Sequence, residues 1–376
     1  NSWNGKKLHG YKYLLTDLLK NQMGFDGVVV GDWNGHQEVD GCYSYSCSET
    51  INAGLDMFMV TESWKMLYQN TLQQVKTGEI SLERLNDAVR RILRVKSNYG
   101  LFSKLEPSKR YLDFPLDSIG AQSHRDLSRQ AVRESLVLLK NNNQTLPLNP
   151  SLNFLVIGRG AKEISKAAGG WSFTWQGTGT TNKDFPGATS IYEGLELFVE
   201  KNNGTISYSK KGKFTKTPDI AILVIGEDPY AEYQGSINSL EFLNDDFEHL
   251  KVAKDLREKG VKVVYLFLSG RPMWVNRELN TSDAFVAAWL PGTEGHGIAE
   301  VLFGKTIEGE VTDFKGKLSF SWPKEADASS LNKNDSFYDP LFTYGYGLTY
   351  KDNINLEDLS ESLPSQRKSK PGEVFL

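Results

Sequence analysis

A carboxylate and an indole stand side by side at Asp32 and Trp33, directly after an apolar run. Three consecutive valines at residues 28–30 predict a short strand buried on both faces, and Gly31 ends the run. In parallel α/β folds, the chemistry lies at the carboxyl ends of strands. A carboxylate there can meet the positive charge that develops at an anomeric carbon, and an indole can stack on a sugar ring. The alternative is a strand-capping aspartate and a tryptophan of the core.

A second group of acidic side chains follows a strand predicted at residues 220–225. The loop at residues 226–236 reads Gly-Glu-Asp-Pro-Tyr-Ala-Glu-Tyr-Gln-Gly-Ser and contains Glu227, Asp228 and Glu232. Retaining glycosidases need two carboxyl groups about 5–5.5 Å apart, one nucleophilic and one that protonates the leaving group. The proton donor must keep its proton near neutral pH, which apolar or like-charged surroundings can arrange. From the residues alone, all three are candidates for the acid.

Two further indoles, Trp171 and Trp175, lie four positions apart in the glycine-rich segment 169–177, Gly-Gly-Trp-Ser-Phe-Thr-Trp-Gln-Gly. Glycine lets the backbone approach a ligand closely, and tryptophan offers a flat apolar face with one hydrogen-bond donor. The segment is therefore a candidate sugar-binding loop. The alternative interpretation is a pair of core tryptophans.

Three ordered motifs near the start of the chain resemble those of the family 3 glycoside hydrolases, the β-glucosidases and β-glucan exohydrolases. They are the run at residues 24–33, Asn-Ser-Trp-Asn-Gly at residues 1–5 and Ala-Gly-Leu-Asp-Met at residues 53–57. The resemblance implies that Asp32 is the catalytic nucleophile and that Trp33 contacts the sugar. Gly31 stands where family members typically have serine, a departure that leaves the Asp-Trp pair intact.

The acidic loop also resembles the family, whose exohydrolases read G-E-x-P-Y-x-E-x-x-G-D. The resemblance implies that the second glutamate of this pattern, Glu232, is the acid/base. The last position is Ser236 here, so one neighbouring carboxylate that could tune the site is absent from the pattern. Glu227 is the second choice, although its place at the end of a strand suits a structural hydrogen-bonding role.

The tryptophan loop resembles the family pattern G-G-W-x-x-x-W-Q-G. By that resemblance, Trp175 faces Trp33 across the subsite for the second glucose, and Trp171 is a further candidate for contact with the sugar. The implied activity is that of a retaining, exo-acting β-glucosidase or β-glucan exohydrolase, which releases glucose from the non-reducing ends of β-linked gluco-oligosaccharides. A non-catalytic carbohydrate-binding remnant of such an enzyme, or a family 3 β-xylosidase, is the alternative.

We predict an α/β fold in two parts, the C-terminal part of a (β/α)8 barrel and then an α/β sandwich domain with a mainly parallel sheet. The predicted ranges are residues 1–102 for the barrel part, 103–122 for a linker, 123–350 for the sandwich, and 351–376 for a polar tail or the start of a further domain. Family members carry most of the barrel before the first motif. The resemblance therefore implies that the N-terminal barrel part is missing, is needed for full activity and could be a separate chain.

Alternating strands and helices support this fold. In the sandwich, strands are predicted at residues 154–157, 220–225, 261–268 and 284–289, and helices at 123–140, 191–201, 244–259 and 298–303. In the barrel part, helices are predicted at residues 7–21, 64–76 and 82–99. The arginine-rich face of the last of these helices is interpreted as solvated.

Composition excludes several other classes of function. The 376 residues carry a formal net charge of −4, with no basic patch for nucleic acid and no polybasic run for a membrane surface. No apolar stretch approaches the roughly 20 residues of a transmembrane helix. Gly158-Arg159-Gly160 lacks the third glycine of a dinucleotide-binding motif, because Glu163 stands there. We expect no cofactor and no metal site.

The two cysteines, Cys42 and Cys47, are spaced C-x4-C. They lack the partners of a structural zinc site, and the spacing is not that of C-x-x-C redox proteins. They are either free thiols or a disulfide that closes the loop after the candidate nucleophile, and an exported enzyme would favour the disulfide. We expect a secreted or periplasmic protein, although no signal peptide is visible in the chain.

Overall fold

The computed structural model describes residues 2–104, 106, 118–244, 246–327 and 330–363. It divides into two compact units, unit 1 at residues 1–115 and unit 2 at residues 116–376. Most of the linker predicted at 103–122, and the end of the predicted tail, lie outside the described residues. Within the described residues, no helix is both long and apolar enough to span a bilayer.

The described residues of unit 1 form short strands and three α-helices. A two-stranded antiparallel ribbon (β1, Ser2–Trp3; β2, Lys6–Lys7) precedes a π-helical segment, Tyr13–Gln22. The strands β3 (Val30–Trp33) and β4 (Met57–Met59) pair in parallel. The α-helices are α1 (Ser48–Ala53), α2 (Trp64–Lys76) and α3 (Leu82–Asn98). The hydroxyl of Ser81 caps α3 by accepting the N–H of Arg84 at 3.1 Å.

Unit 2 is a six-stranded sheet between helices. Its strands are β5 (Val137–Asn141), β6 (Asn153–Ile157), β7 (Thr205–Ser209), β8 (Ile220–Gly226), β9 (Lys262–Leu268) and β10 (Ala284–Trp289). Its helices are α4 (Gln122–Ser135), α5 (Ile164–Ala168), α6 (Ile191–Lys201), α7 (His249–Glu258), α8 (Asn276–Asn280) and α9 (Gly295–Phe303). The sheet order is β5-β10-β9-β8-β6-β7. Only β5 and β10 pair antiparallel among these neighbours, so the predicted α/β fold with a mainly parallel sheet is confirmed.

Both faces of this sheet are buried, and successive residues of a central strand enter different cores. In β8, Ile222 and Val224 pack with α6 and α9 on one face, while Leu223 and Ile225 pack with α7 and α8 on the other. This two-sided burial explains the continuous apolar runs by which β8, β9 and β10 are predicted. The loops that follow the carboxyl ends of these strands therefore leave a sheet that is packed on both faces.

The helix predicted at residues 123–140 is wrong beyond residue 135, where the chain becomes the strand β5. The four consecutive side chains at residues 136–139 are all buried, at 0–1% exposure. One face of a helix cannot bury four successive residues, whereas an extended strand sends Leu138 into one core and Val137 and Leu139 into the other. The strand β7 is missing from the prediction because its sequence, Thr-Ile-Ser-Tyr-Ser, is largely polar.

The described part of the predicted tail packs on unit 2. The side chain of Asn142 donates to the carbonyl oxygen of Leu356 at 2.9 Å and accepts the Leu356 N–H at 2.8 Å. Asn280 makes the same pair of bonds with Leu359, at 2.9 and 2.8 Å. Each asparagine thus pairs with the backbone as a neighbouring strand would.

Candidate active site

The candidate nucleophile lies within a strand rather than after one. Asp32 and Trp33 belong to β3, which starts two residues later than predicted, and both side chains are exposed in unit 1. The prediction of burial on both faces is wrong, since Val30 is 50% exposed. Among the described residues, β3 pairs with one strand, β4. The Trp33 N–H donates to Oδ1 of Asp32 at 2.6 Å, which orients the carboxylate.

A buried aspartate from the Ala-Gly-Leu-Asp-Met motif holds the start of β3. The side chain of Asp56 is fully buried, and its Oδ2 accepts the Val29 N–H at 2.9 Å. Its Oδ1 accepts from Lys20 Nζ at 2.7 Å and from the guanidinium of Arg84. Two cations thus compensate the buried charge while the carboxylate fixes the backbone two residues before Gly31.

The arginine face of α3 is partly engaged rather than solvated. Arg91 donates to the carbonyl oxygens of Phe25 and Gly27 at 2.8 and 3.0 Å, and it also pairs with Asp87. These bonds clasp the loop that leads into β3. Positive charges nearby lower the pKa of Asp87, outweighing the opposing effect of its burial, with Lys20 and Arg91 the main partners.

The loop after β3 is fastened by a left-handed residue and a disulfide. Asn34 has a φ of 51°, and its N–H donates to the Met59 carbonyl oxygen at 2.8 Å, so the chain turns directly after Trp33. Cys42 and Cys47 form a disulfide that closes a turn farther along this loop. Glu49 lies beside them in a cluster of potential metal ligands, but the disulfide uses both sulfurs.

In unit 2, Glu227 lies at the end of β8 and is held in an ion pair. Its Oε1 accepts two bonds from the guanidinium of Arg271, at 2.9 and 2.7 Å, and its Oε2 accepts from Ser269 Oγ at 2.6 Å. Arg271 also donates to the carbonyl oxygen of Gly235 at 2.6 Å and stacks over the ring of Tyr230. The pair therefore joins both ends of the acidic loop, the arrangement of a structural carboxylate.

Asp228 is also paired with cations. It accepts from Arg159 Nη2 at 2.8 Å and from Lys166 Nζ at 2.7 Å. Burial alone would raise the pKa of Asp228, but hydrogen bonds and charge from Lys166 and Arg159 outweigh it and lower this pKa. A carboxyl group held ionised in this way is poorly suited to deliver a proton.

Glu232 has a different environment, because its partner is an indole. Oε2 of Glu232 accepts a hydrogen bond from Nε1 of Trp175, 57 residues earlier in the chain. Glu232 also has a φ of 42°, in the left-handed region that residues other than glycine rarely adopt. Such conformations concentrate at functional sites, where the surrounding structure maintains them.

Close backbone packing places the tryptophan loop against the acidic loop. A Cβ at Gly170 would lie 1.9 Å from the carbonyl oxygen of Tyr230, and one at Gly177 would lie 2.9 Å from Cβ of Pro229. Oε1 of Gln176 accepts the Ala231 N–H at 2.7 Å, one residue before Glu232. Glycine at both positions is thus a steric requirement of this contact.

The two tryptophans of this loop are exposed rather than buried in a core. Trp171 is 71% exposed and Trp175 46%, and their ring centroids lie 6.4 Å apart at an angle of 55°. The Trp171 N–H donates to the Trp175 carbonyl oxygen at 2.9 Å, and Trp171 has a φ of 58°. Both indoles are accessible to a ligand in unit 2.

The structure brings the predicted residues together in two groups, Asp32 with Trp33 in unit 1 and Glu232 with Trp175 in unit 2. It adds two residues that the sequence patterns did not single out. Gln176 lies in the matched Trp-Gln-Gly triplet, so the motif contained a usable signal. His9 accepts the Asp32 N–H on its Nε2 at 2.9 Å, and a lone histidine far from the motif gave no such signal.

The α/β fold and the exposed indole beside each candidate carboxylate, Asp32 and Glu232, indicate a carbohydrate-active protein, the class to which the comparisons also point. Residues 1–95 match the glycosyl hydrolase family 3 N terminal domain, and residues 136–350 match the family 3 C-terminal domain. The chain belongs to glycosyl hydrolase family 3, and the resemblance found in the sequence is confirmed.

Similarity to individual proteins agrees with this. A mutant exo-1,3/1,4-beta-glucanase from a Pseudoalteromonas species is 55% identical, with a TM-score of 0.92 over 97% of this chain and 59% of that chain. The lysosomal beta glucosidase of Dictyostelium discoideum is 30% identical, over 92% of this chain and 44% of the relative. The periplasmic beta-glucosidase of Salmonella typhimurium is 27% identical, over 98% and 54%. The chain thus spans about half the length of these curated relatives.

Proposed function

We propose that the protein carrying this chain is a retaining, exo-acting β-glucosidase or β-glucan exohydrolase that releases glucose from the non-reducing ends of β-linked gluco-oligosaccharides. One observation carries the proposal. Each carboxylate at a catalytic position of the family pattern has an exposed indole beside it in its own unit, Trp33 next to Asp32 and Trp175 bonded to Glu232. A carboxylate can act as nucleophile or proton donor in glycoside hydrolysis, and a flat apolar face beside it can pack against the sugar ring.

In the first step of this mechanism, a carboxylate oxygen of Asp32 forms a bond to the anomeric carbon. The bond between that carbon and the leaving-group oxygen breaks, and Glu232 gives its proton to that oxygen. In the second step, Glu232 takes a proton from water as the water oxygen attacks the anomeric carbon. The ester bond to Asp32 breaks, and glucose leaves with its β-configuration retained.

Ion pairing supports the choice of Glu232 over its neighbours as the acid/base. Glu227 is bound by Arg271 through two N–H groups, and Asp228 by Arg159 and Lys166. Protonating either carboxyl group would break charge-assisted bonds that hold the loop in place. Glu232 accepts a neutral indole N–H instead, so a change in its protonation does not break an ion pair.

The proposal also specifies the substrate class and the cellular location. Trp33 and Trp175 would hold the second glucose by its two faces, with Trp171 as a further contact, which fits a β-glucan substrate. The name of the Pseudoalteromonas relative, an exo-1,3/1,4-beta-glucanase, supports this substrate class. The Cys42–Cys47 disulfide and the periplasmic relative support export from the cytoplasm.

The test uses the natural protein that contains this sequence, with laminaribiose, cellobiose and xylobiose as substrates. Proton NMR during the first minutes of hydrolysis of an aryl β-glucoside, whose leaving group contains no sugar, should detect β-glucose before the α-anomer. Among the disaccharides, glucose should be released faster than xylose. Initial formation of the α-anomer would contradict the retaining mechanism. Faster xylose release would favour the β-xylosidase, and glucan binding without turnover would favour the non-catalytic remnant.

Glu232→Ala and Glu227→Ala form a matched pair that tests the acid/base. Glu232→Ala should slow disaccharide hydrolysis by about 100- to 10,000-fold, while aryl glucosides with good leaving groups undergo glycosylation at a rate closer to that of the unmodified enzyme. Azide should then speed turnover and give a β-glucosyl azide. Glu227→Ala should instead lower the melting temperature of unit 2, because Arg271 loses its partner. The reverse pattern would assign the acid/base to Glu227.

A further inference from the structure

His9 lies against the backbone of β3 and of the turn that follows it. It lies in the 3-10 turn Leu8–Gly10, directly after β2. A Cβ at Gly35 would lie 2.5 Å from Cε1 of the His9 ring, and one at Gly31 would lie 3.5 Å from the ring. The absence of a side chain at Gly35 therefore leaves the space that the imidazole fills, whereas a Cβ at Gly31 would only be in van der Waals contact with the ring.

The hydrogen bond between His9 and Asp32 defines the form of the ring. The Asp32 N–H donates to Nε2 of His9 at 2.9 Å, so Nε2 must carry a lone pair and the proton of the neutral ring is on Nδ1. Burial lowers the pKa of His9, against the opposing attraction of the Asp32 carboxylate. The ring is thus held in the neutral form that can accept this bond.

Asp32 is also held by a hydrogen bond from the residue that follows it. The Trp33 N–H donates to Oδ1 of Asp32 at 2.6 Å, so the peptide groups before and after Asp32 both have defined directions. Two hydrogen bonds therefore position the carboxylate. The Asp32 N–H donates to the histidine ring, and the carboxylate accepts the Trp33 N–H. The second bond orients the carboxylate relative to the backbone of the strand.

We propose that His9 is a positioning residue for the nucleophile, which it serves by holding the Asp32 peptide group through the acceptor atom Nε2. This inference rests on the proposed function, in which Asp32 attacks the anomeric carbon. The bond does not contact the sugar, so its loss should slow covalent attack and leave substrate binding nearly unchanged. Displacement of a reacting atom by about 1 Å can cost roughly 100-fold in rate.

Two substitutions separate the acceptor atom from the volume of the ring. His9→Gln places an amide oxygen near the position of Nε2 and can accept the same N–H, whereas His9→Met fills similar volume without such an acceptor. The readout is the rate at which 2-deoxy-2-fluoroglucosyl fluoride inactivates the natural protein, because this rate reports covalent attack alone. His9→Met should lower it about 10- to 100-fold with little change in KM, and His9→Gln should recover most of the loss.

His36→Met is the matched control for loss of a buried imidazole in unit 1. His36 is 1% exposed, and its Nε2 bonds to the Ser44 carbonyl oxygen at 2.9 Å rather than to β3. This variant should lose thermal stability while its folded fraction is inactivated at a rate near that of the unmodified protein. If His9→Met does not fold, His9→Asn replaces it, since its shorter amide does not reach the Nε2 position.

The outcomes distinguish this inference from the proposed function. Mapping of the fluoroglucosyl adduct to a carboxylate other than Asp32 would overturn the proposed nucleophile and this inference with it. Labelling of Asp32 at an unchanged rate in His9→Met, or equal rates in His9→Gln and the variant without the acceptor, would overturn the positioning role alone. Slow labelling of Asp32 with recovery in His9→Gln supports both.

Discussion

The two units position their candidate catalytic carboxylates by different means. In unit 1, the ring of His9 holds the backbone of β3, and the buried carboxylate of Asp56 and the guanidinium of Arg91 hold the segment that leads into this strand. In unit 2, the acidic loop leaves a sheet buried on both faces, and the tryptophan loop packs on it through Gly170 and Gly177. Unit 1 thus depends on charge and hydrogen bonds, whereas unit 2 adds close backbone packing to the ion pair of Glu227 with Arg271 that holds the acidic loop. Substitutions that remove charge or add volume should therefore affect the units unequally.

The largest expected effect is on unit 1 from Asp56→Asn. The variant keeps the shape of the side chain but removes the fully buried anion that Lys20 and Arg84 share, and it leaves them only the partly exposed carboxylate of Asp87. The free energy of unfolding of unit 1 should fall by about 3–5 kcal/mol. Hydrogen exchange measured by mass spectrometry should show faster exchange in peptides of residues 13–98 and little change in the sheet of unit 2.

Asp219→Asn is the control for Asp56→Asn in unit 2. Asp219 is exposed, and it also accepts a backbone N–H, from Asn153 at 2.9 Å. Its substitution should cost less than about 1 kcal/mol, because water compensates an exposed group. Equal effects of the two variants would show that burial of the charge does not distinguish the units.

The next largest effect should come from adding one methyl group in unit 2. Gly170→Ala places a Cβ 1.9 Å from the Tyr230 carbonyl oxygen, so the tryptophan and acidic loops must separate. We expect kcat/KM for an aryl β-glucoside to fall about 100-fold, because Trp175 and Glu232 move with their loops. Gly179→Ala is the control in the same region, where nothing lies within 4 Å and a φ of 75° leaves only backbone strain. Similar activities for the two variants would contradict packing as the means of positioning.

A smaller effect is expected when one exposed tryptophan is replaced in either unit. Trp33→Ala and Trp175→Ala should each raise KM for laminaribiose by the equivalent of about 1–3 kcal/mol, with nucleobase stacking as the guide. Trp175→Phe keeps a ring but removes the donor to Glu232, so it should retain most of the binding. Methyl β-glucoside, with its small aglycone, is the control substrate and should change little. Equal losses for both substrates would place the tryptophans outside the second subsite.

The smallest effects should come from two buried lysines with different partners. Lys20 bonds to Asp56 at 2.7 Å, whereas Lys140 in β5 donates to the Leu279 carbonyl oxygen at 2.7 Å. Lys20→Met should cost about 1–2 kcal/mol because a buried carboxylate loses a partner. Lys140→Met should change stability by less than about 1 kcal/mol at pH 7, since it also removes a charge that burial disfavours. A larger loss of stability from Lys140→Met than from Lys20→Met would contradict this prediction.

The lowered pKa of Lys140 also predicts that its contribution to stability depends on pH. Burial lowers the pKa of Lys140 from 10.5 to about 8. Between these values the unfolded chain holds more protons than the folded one, so the contribution of Lys140 to stability rises as the pH increases through this window. Chemical unfolding at pH 7 and pH 10 should show the unmodified protein gaining stability relative to Lys140→Met. No change in the difference would contradict the lowered pKa of the buried Lys140 ammonium.

The sequence predicts the four inner strands of the sheet in unit 2 because they are continuous apolar runs. It misses the two edge strands, β5 because a helical pattern passes directly into it and β7 because its sequence is largely polar. The sequence identifies the candidate residues Asp32 and Glu232 because each lies in a short, continuous motif. The ion pair of Glu227 joins it to Arg271, 44 residues later, and the acceptor of the Asp32 N–H is His9, 23 residues earlier. Such contacts depend on the tertiary arrangement, so the sequence alone left Glu227 as a candidate acid and gave His9 no role.

The most direct test of the account is to identify the residue that carries the covalent glucosyl group. The natural protein is incubated with 2-deoxy-2-fluoroglucosyl fluoride, denatured and digested, and the labelled peptide is sequenced by mass spectrometry. The account predicts a single adduct on Asp32, in the peptide that contains Gly31-Asp32-Trp33, and no adduct in Asp32→Asn. An adduct on any other carboxylate, or hydrolysis that persists undiminished in Asp32→Asn, would contradict it.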